Sequence, residues 1–340
     1  MEFENLNSEE QLAKWEGRAL DERPALPTGF PAIDQLLFRG GFQPGTFVIL
    51  GGRTHTRKTG VALNMAATML RNGVPVGFVG LDEPVPAYVA KLCSVLSGDQ
   101  EDGRGGYGAE WLEEHWGEQE SRKSRLAYRA LTGKFNLTSG YRPTLLTLNK
   151  WVEACHERPR VVFIDYMSVL AREKYAGNDT SRIPKLAEDL KVWANEAQLV
   201  VIAIHQVGRE SKATGKYYHG DTPMQLESLK YGGEEMADVV LGTYRPTNNP
   251  LGSMSYDDAS TDFDDEFNEE KWLHAKRRVE RFKDSTMMQV LKNRPSQKGL
   301  LLRGIELVAP GASMYQRQVR PADLEQHSEY EEEMNRASSQ

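Results

Sequence analysis

Lys58 and Thr59 close the stretch Gly52-Arg53-Thr54-His55-Thr56-Arg57-Lys58-Thr59, which follows the apolar run Phe47 to Leu50 and precedes a helical pattern. A strand, a glycine-containing turn and a helix that opens on lysine and a hydroxyl residue form a phosphate cradle. Loop and helix amides surround the phosphate oxygens, the lysine adds positive charge, and the hydroxyl binds Mg2+. The usual spacing is G-x-x-x-x-G-K-[ST], so Gly52, Lys58 and Thr59 are in place and Arg57 stands where the second glycine belongs. Glycine suits that crowded position, so Arg57 must either take a glycine-like φ or alter the loop. The substitution bears on hydrolysis more than on nucleotide binding.

Further acids stand where such a site needs them. Val76 to Leu81 reads as a strand ending in Asp82-Glu83, and Val161 to Ile164 as a continuous apolar strand ending in Asp165. Carboxylates at the carboxyl ends of strands in an open α/β sheet lie at its ligand-binding edge, where a buried central strand can deliver one to Mg2+. Val200 to Ile204 ends in His205-Gln206, and Asp238 to Thr243 ends in Tyr244-Arg245.

Helices must join these strands. After the phosphate loop Ala62, Met65, Ala66, Met69 and Leu70 share one face, with Asn72-Gly73 as the stop. Ile183, Leu186, Ala187, Leu190, Trp193, Ala194 and Ala197 mark another helix, with Ser181 able to cap it. The alternation predicts an α/β fold, a mostly parallel sheet with helices on both faces.

Composition bounds the class. The chain has 340 residues, 39% hydrophobic and 27% charged, as in soluble globular proteins. Its net charge of −7 argues against coating DNA with the whole surface but leaves room for a local basic channel. No apolar run approaches the ~18 residues of a membrane span, and Met1 to Leu20 is too acidic and polar for a signal peptide, so a cytoplasmic protein is expected. Cys93 and Cys155 lie far apart and suggest neither a disulfide framework nor a zinc site.

Three regions follow from the pattern. Residues 1–25 form an arm whose helix carries Leu12, Trp15 and Ala19 on one narrow face, needing a partner on its own domain or a neighbour. Residues 26–310 form the body, interrupted by a charged insertion at about 246–285, and 311–340 is a polar, acidic tail. Residues 99 to 125, rich in Gly, Glu and Arg, read as a loop or surface insertion. Met287 to Leu291 and Gly299 to Val308 read as paired strands, joined by a turn carrying Lys292, Asn293, Arg294 and Pro295.

Taken in order, these segments resemble the C-terminal motor domain of DnaB-type replicative helicases, a branch of the RecA-like ATPases. The resemblance covers about residues 26–308 and rests on Leu26 to Phe30 with Gln43 to Gly45, the phosphate loop, Leu81-Asp82 to Leu92, Ile164-Asp165-Tyr166, the 180–198 helix, His205-Gln206 to Arg209, Ala237 to Arg245 and Lys292 to Arg294.

The resemblance implies a RecA-like core, ATP and Mg2+ as cofactors, and single-stranded or branched DNA as partner. It further implies Lys58 on phosphate, Thr59 on phosphate and Mg2+, Asp165 as the metal carboxylate, and Asp82 as the water-activating acid, although Glu83 could reach instead. Gln206 matches a γ-phosphate sensor. Lys292 and Arg294 match a lysine and an arginine finger that reach into the adjacent subunit of a homo-oligomeric, hexameric ring, and Arg245 falls near the nucleotide base. In a ring, Arg172, Lys174, Arg182, Arg209, Lys212, Lys216, Tyr217 and Tyr218 would face a central channel, where cations neutralise phosphates and rings stack bases.

The chain departs from that pattern in Arg57, in the shorter acid Asp82 and in the long acidic insertion. A phage-type relative without the separate N-terminal domain is expected. Two other readings therefore stand beside the ATP-driven helicase or translocase. One is a metal-dependent DNA nuclease using Asp82, Glu83 and Asp165. The other is a nucleotide-regulated or nucleotide-free DNA-binding assembly factor in which Arg57 fills the phosphate pocket.

Overall fold

The structure, a computed structural model, describes residues 8–19, 23–98, 106–131, 133–139, 143–174, 177–208, 219–229, 232–248, 276–277, 279–309 and 312–317. The described strands are β1 (Phe47–Gly52), β2 (Val76–Gly80), β3 (Phe135–Thr138), β4 (Val161–Asp165), β5 (Val200–Gln206), β6 (Val239–Tyr244), β7 (Ser285–Asn293), β8 (Leu301–Val308) and β9 (Tyr315–Gln316). The helices are α1 (Ser8–Ala19), α2 (Pro31–Leu36), α3 (Lys58–Arg71), α4 (Val85–Ser97), α5 (Ala109–Glu114), α6 (Arg122–Arg129), α7 (Leu145–Ala154), α8 (Met167–Lys174) and α9 (Asp179–Ala197).

All the described strands join one sheet in the order β3-β2-β4-β5-β1-β6-β7-β8-β9. The part from β3 to β6 is parallel, and β7, β8 and β9 extend it antiparallel. The central strands are apolar throughout because both faces are covered. Val48 and Leu50 turn to the core formed with α3 and α4, while Phe47 and Ile49 turn to the core containing residues of α7, α8 and α9. Every parallel strand runs the same way, so the carboxyl ends of β1, β2, β4 and β5 share one edge, where the acids and the phosphate loop meet.

Several expectations change. Of the two readings of 99–125, the structure favours an insertion with helices over a loop: α5 and α6 lie within or across that range and pack on α4, where the Ser124 hydroxyl donates to the Cys93 carbonyl at 2.6 Å. Asn178, not Ser181, caps α9, its side chain accepting from the Ser181 amide at 3.1 Å. Ser285 already belongs to β7, so the insertion ends one residue earlier than its expected bound, and 249–275 lies outside the described residues. The tail boundary at 310 cuts through packed chain, since Ser313 and Met314 are buried and β9 pairs with β8. In α1, Leu12 is exposed. No helix among the described residues is long and apolar enough to cross a membrane.

Candidate nucleotide-binding site

The phosphate loop spans the end of β1 and the start of α3. Gly52 is required by packing, because a Cβ there would lie 2.2 Å from the Thr243 hydroxyl oxygen. That hydroxyl meets Thr56 Oγ1 at 2.9 Å and donates to the Gly51 carbonyl at 3.1 Å, bracing the loop from β6. Arg57 solves the missing-glycine problem by taking the glycine's conformation, with φ 61° and ψ 31°. Left-handed backbone costs an L-residue about 1–2 kcal/mol. Its guanidinium extends to the start of β7, where Nη1 donates to the Asp284 carbonyl at 3.0 Å. Burial, then the neighbouring Arg245, lowers the Arg57 pKa.

Lys58 Nζ donates to the Arg53 carbonyl at 2.8 Å, across its own loop. Burial pulls its pKa down to about 8 against the attraction of Asp165 and Asp82. Thr59 Oγ1 donates to Asp165 Oδ2 at 2.8 Å, and the buried Tyr88 hydroxyl donates to the same oxygen at 3.2 Å. Burial raises the Asp165 pKa, opposed in part by the Thr59 bond. Glu83 is ion-paired with Lys91.

These groups line a cavity of about 510 Å³ with Lys58, Thr59, Asp82, Asp165, Gln206 and Met314 among its walls. A hydroxyl that spends its proton on Asp165 keeps its oxygen lone pairs for a cation, and hydroxyl and carboxylate oxygens are the hard ligands Mg2+ takes. The residues therefore fit Mg2+ carried in with phosphates. Among the described residues no three His, Cys, Asp or Glu side chains gather to hold a metal by themselves, so Asp82, Glu83 and Asp165 do not form the three-acid cluster considered above.

The remaining predicted residues fall elsewhere. Arg245 follows β6 and donates through Nη2 to the Lys283 carbonyl at 2.7 Å, beside Arg57. Lys292 and Arg294 lie at the opposite edge of the sheet: Lys292 pairs with Val240, and the Arg294 amide donates to the Asp238 carbonyl at 2.8 Å. Roughly 15 Å of strand separates Arg294 from the phosphate loop of its own chain. Lys292 Nζ donates to the Glu234 carbonyl at 2.7 Å, and Arg294 Nη2 to that of Glu235 at 2.9 Å. Arg182 sits half-buried in the first turn of α9. Arg172 and Lys174 belong to α8, their side chains outside the described part, and Arg209, Lys212, Lys216, Tyr217 and Tyr218 lie outside the described residues.

Sequence reasoning missed three contributors. Tyr88 and Lys91 carried no role in the sequence reading; they fall six residues after Asp82 and eight after Glu83, on the helix that follows those acids. Ala309, Ala312 and Met314 supply a cavity wall, the last two from beyond the expected domain end at 310. Asn64 of α3 hooks that wall, donating to the Ala312 carbonyl at 3.0 Å and accepting from the Met314 amide at 2.8 Å.

A lysine and threonine at a strand–loop–helix junction, facing an acid from a parallel strand with one strand between, define a P-loop nucleotide-binding domain of the RecA-like class. The DnaB-like helicase C-terminal domain family matches residues 25–294, and the chain belongs to that family. The "Probable plasmid replicative DNA helicase" of Chlamydia psittaci is 26% identical over 236 residues, covering 66% of this chain and 48% of that protein. The "Replicative DNA helicase DnaB" of Pasteurella multocida is 28% identical over 247 residues, covering 69% of this chain and 49% of that protein. The chain thus spans about half the length of the curated relatives it matches.

Solved structures share the fold. The ATPase domain of G40P superposes with a TM-score of 0.64 at 18% identity, covering 93% of this chain and 100% of that one. A DnaB-like replicative helicase, described together with its interactions with primase, gives 0.63 at 19% identity over 94% of this chain and 68% of that one.

Proposed function

We propose that this protein is an ATP-driven motor on DNA, a helicase or translocase serving replication or recombination in the cytoplasm of a bacterial or phage-infected cell. The carrying observation is the convergence of Lys58, Thr59, Asp82, Asp165 and Gln206 on one cavity, in a chain of this family. In this reading Lys58 and the first amides of α3 hold the outer phosphates, and Thr59 and Asp165 hold Mg2+. The ion supplies neutralisation of phosphate charge when bound. Asp82 orients the attacking water, a role supported by the pairing of Glu83 with Lys91. Gln206 senses the γ-phosphate, and Arg245 flanks the base.

Lys292 and Arg294 act in trans, in a homo-oligomeric ring, most simply a hexamer. Their position at the far edge of the sheet supports this, because a finger there serves a neighbour and not its own loop. The basic residues Arg172, Lys174, Arg182, Arg209, Lys212 and Lys216 supply the DNA contacts. The outward reach of Arg57 to Asp284 supports an open phosphate pocket over one plugged by arginine.

One set of assays tests the reading: ATP hydrolysis with and without single-stranded DNA, strand displacement, and DNA cleavage with Mg2+ or Mn2+ in the absence of ATP. DNA-stimulated hydrolysis with strand displacement is expected. Cleavage without ATP would replace the motor with a nuclease, and DNA binding without any turnover would leave an assembly factor.

A further inference from the structure

Tyr88 has no part in the scheme above, yet its hydroxyl is at the centre of the acids. The residue is fully buried in α4. Its hydroxyl donates to Asp165 Oδ2 at 3.2 Å, the oxygen that also accepts from Thr59. A tyrosine hydroxyl is protonated at neutral pH, so it acts here as the donor. One hydroxyl from α4 therefore braces the Asp165 carboxylate together with one from α3.

The ring is held independently of that hydroxyl. It lies 5.2 Å, centroid to centroid, from the Phe78 ring, and it fills the space left open at Gly80, where a Cβ would come within 2.2 Å of it. Gly80 ends β2 just before Leu81-Asp82, and the Leu81 amide donates to the Asp165 carbonyl at 2.6 Å. An oxygen that accepts two hydrogen bonds has used both its lone pairs, so Oδ2 is fixed and Oδ1 is left to serve a cation or its water.

We propose that Tyr88 is a positioning residue for the metal-binding acid: its hydroxyl, together with that of Thr59, locks the orientation of the Asp165 carboxylate. This rests on the reading of the cavity as a nucleotide–Mg2+ site. Partners that orient metal ligands typically contribute 10–100-fold in metal affinity.

Tyr88→Phe removes the hydroxyl and keeps the ring packing, so folding is preserved. Mn2+ binding is followed by electron paramagnetic resonance in the presence of a non-hydrolysable ATP analogue, and metal-free nucleotide affinity by a fluorescent ATP analogue in EDTA. The variant should bind Mn2+ about tenfold more weakly, or worse, with metal-free nucleotide affinity unchanged. Wild-type Mn2+ affinity in the variant would reduce Tyr88 to packing and overturn the proposal, as would an equal loss in both measurements, which marks a disturbed loop. If the wild-type protein shows no nucleotide-dependent Mn2+ binding, the site reading itself fails and takes the proposal with it, a result distinct from a variant that merely matches wild type.

Discussion

At the scale of single residues, the phosphate loop shows how a rule about residue type can be satisfied by backbone conformation. Arg57 occupies the glycine position by adopting a left-handed φ of 61°, and its side chain leaves for Asp284. Arg57→Gly removes the conformational cost and leaves the phosphate amides in place, so ATP hydrolysis should rise or stay the same. A complete loss of turnover would make Arg57 itself catalytic. Lys58 has no such substitute, and Lys58→Ala should abolish ATPase activity; hydrolysis at the wild-type rate would end the assignment of this loop. The meeting of Lys58, Thr59 and Asp165 at one cavity was legible in the sequence because each is marked by its place at the end of an apolar strand or the start of a helix. Tyr88 was not, since its importance comes from a gap at Gly80 that only the packed structure reveals.

At the scale of elements, the central parallel strands were legible because continuous apolar runs such as Val161 to Ile164 have few alternatives when both faces are covered. The elements that escaped are short or half-buried. β3 is half-buried throughout, and α5 and α6 bury only Leu112 and Ser124, too little periodic apolar signal to register. The segment after β8 escaped for another reason: Asn64 recruits it through polar bonds, which leave no hydrophobic pattern. Asn64→Ala should strand the Met314 amide and the Ala312 carbonyl in a buried setting, costing about 1–3 kcal/mol. A thermal melt should shift down by a few degrees, and an unchanged melt would detach the segment from α3. Lys212 and Lys216 are proposed DNA contacts, and reversing them to Glu should weaken single-strand binding and flatten its salt dependence while ATP affinity holds. Unchanged DNA affinity would move that surface elsewhere.

At the scale of the whole molecule, composite sites predict complementation. Lys58→Ala and Arg294→Ala subunits, each inactive alone, should recover some ATPase when mixed, because a sound finger then meets a sound loop. Fingers of this kind are worth about 10³-fold or more in rate. Mixed oligomers that form and stay inactive would rule out action in trans. The sheet itself gives this arrangement a direction. With the phosphate loop at one edge and Lys292 and Arg294 at the other, the chain has a head and a tail. Two copies joined by such unlike surfaces bury one of each and leave one of each open, so the contact is heterologous and can repeat without limit until rotation brings the last copy back to the first. An open row always keeps one loop without a finger and one finger without a loop. Only closure completes every site, so turnover per subunit should climb with the length of the row and level off when the last gap is sealed.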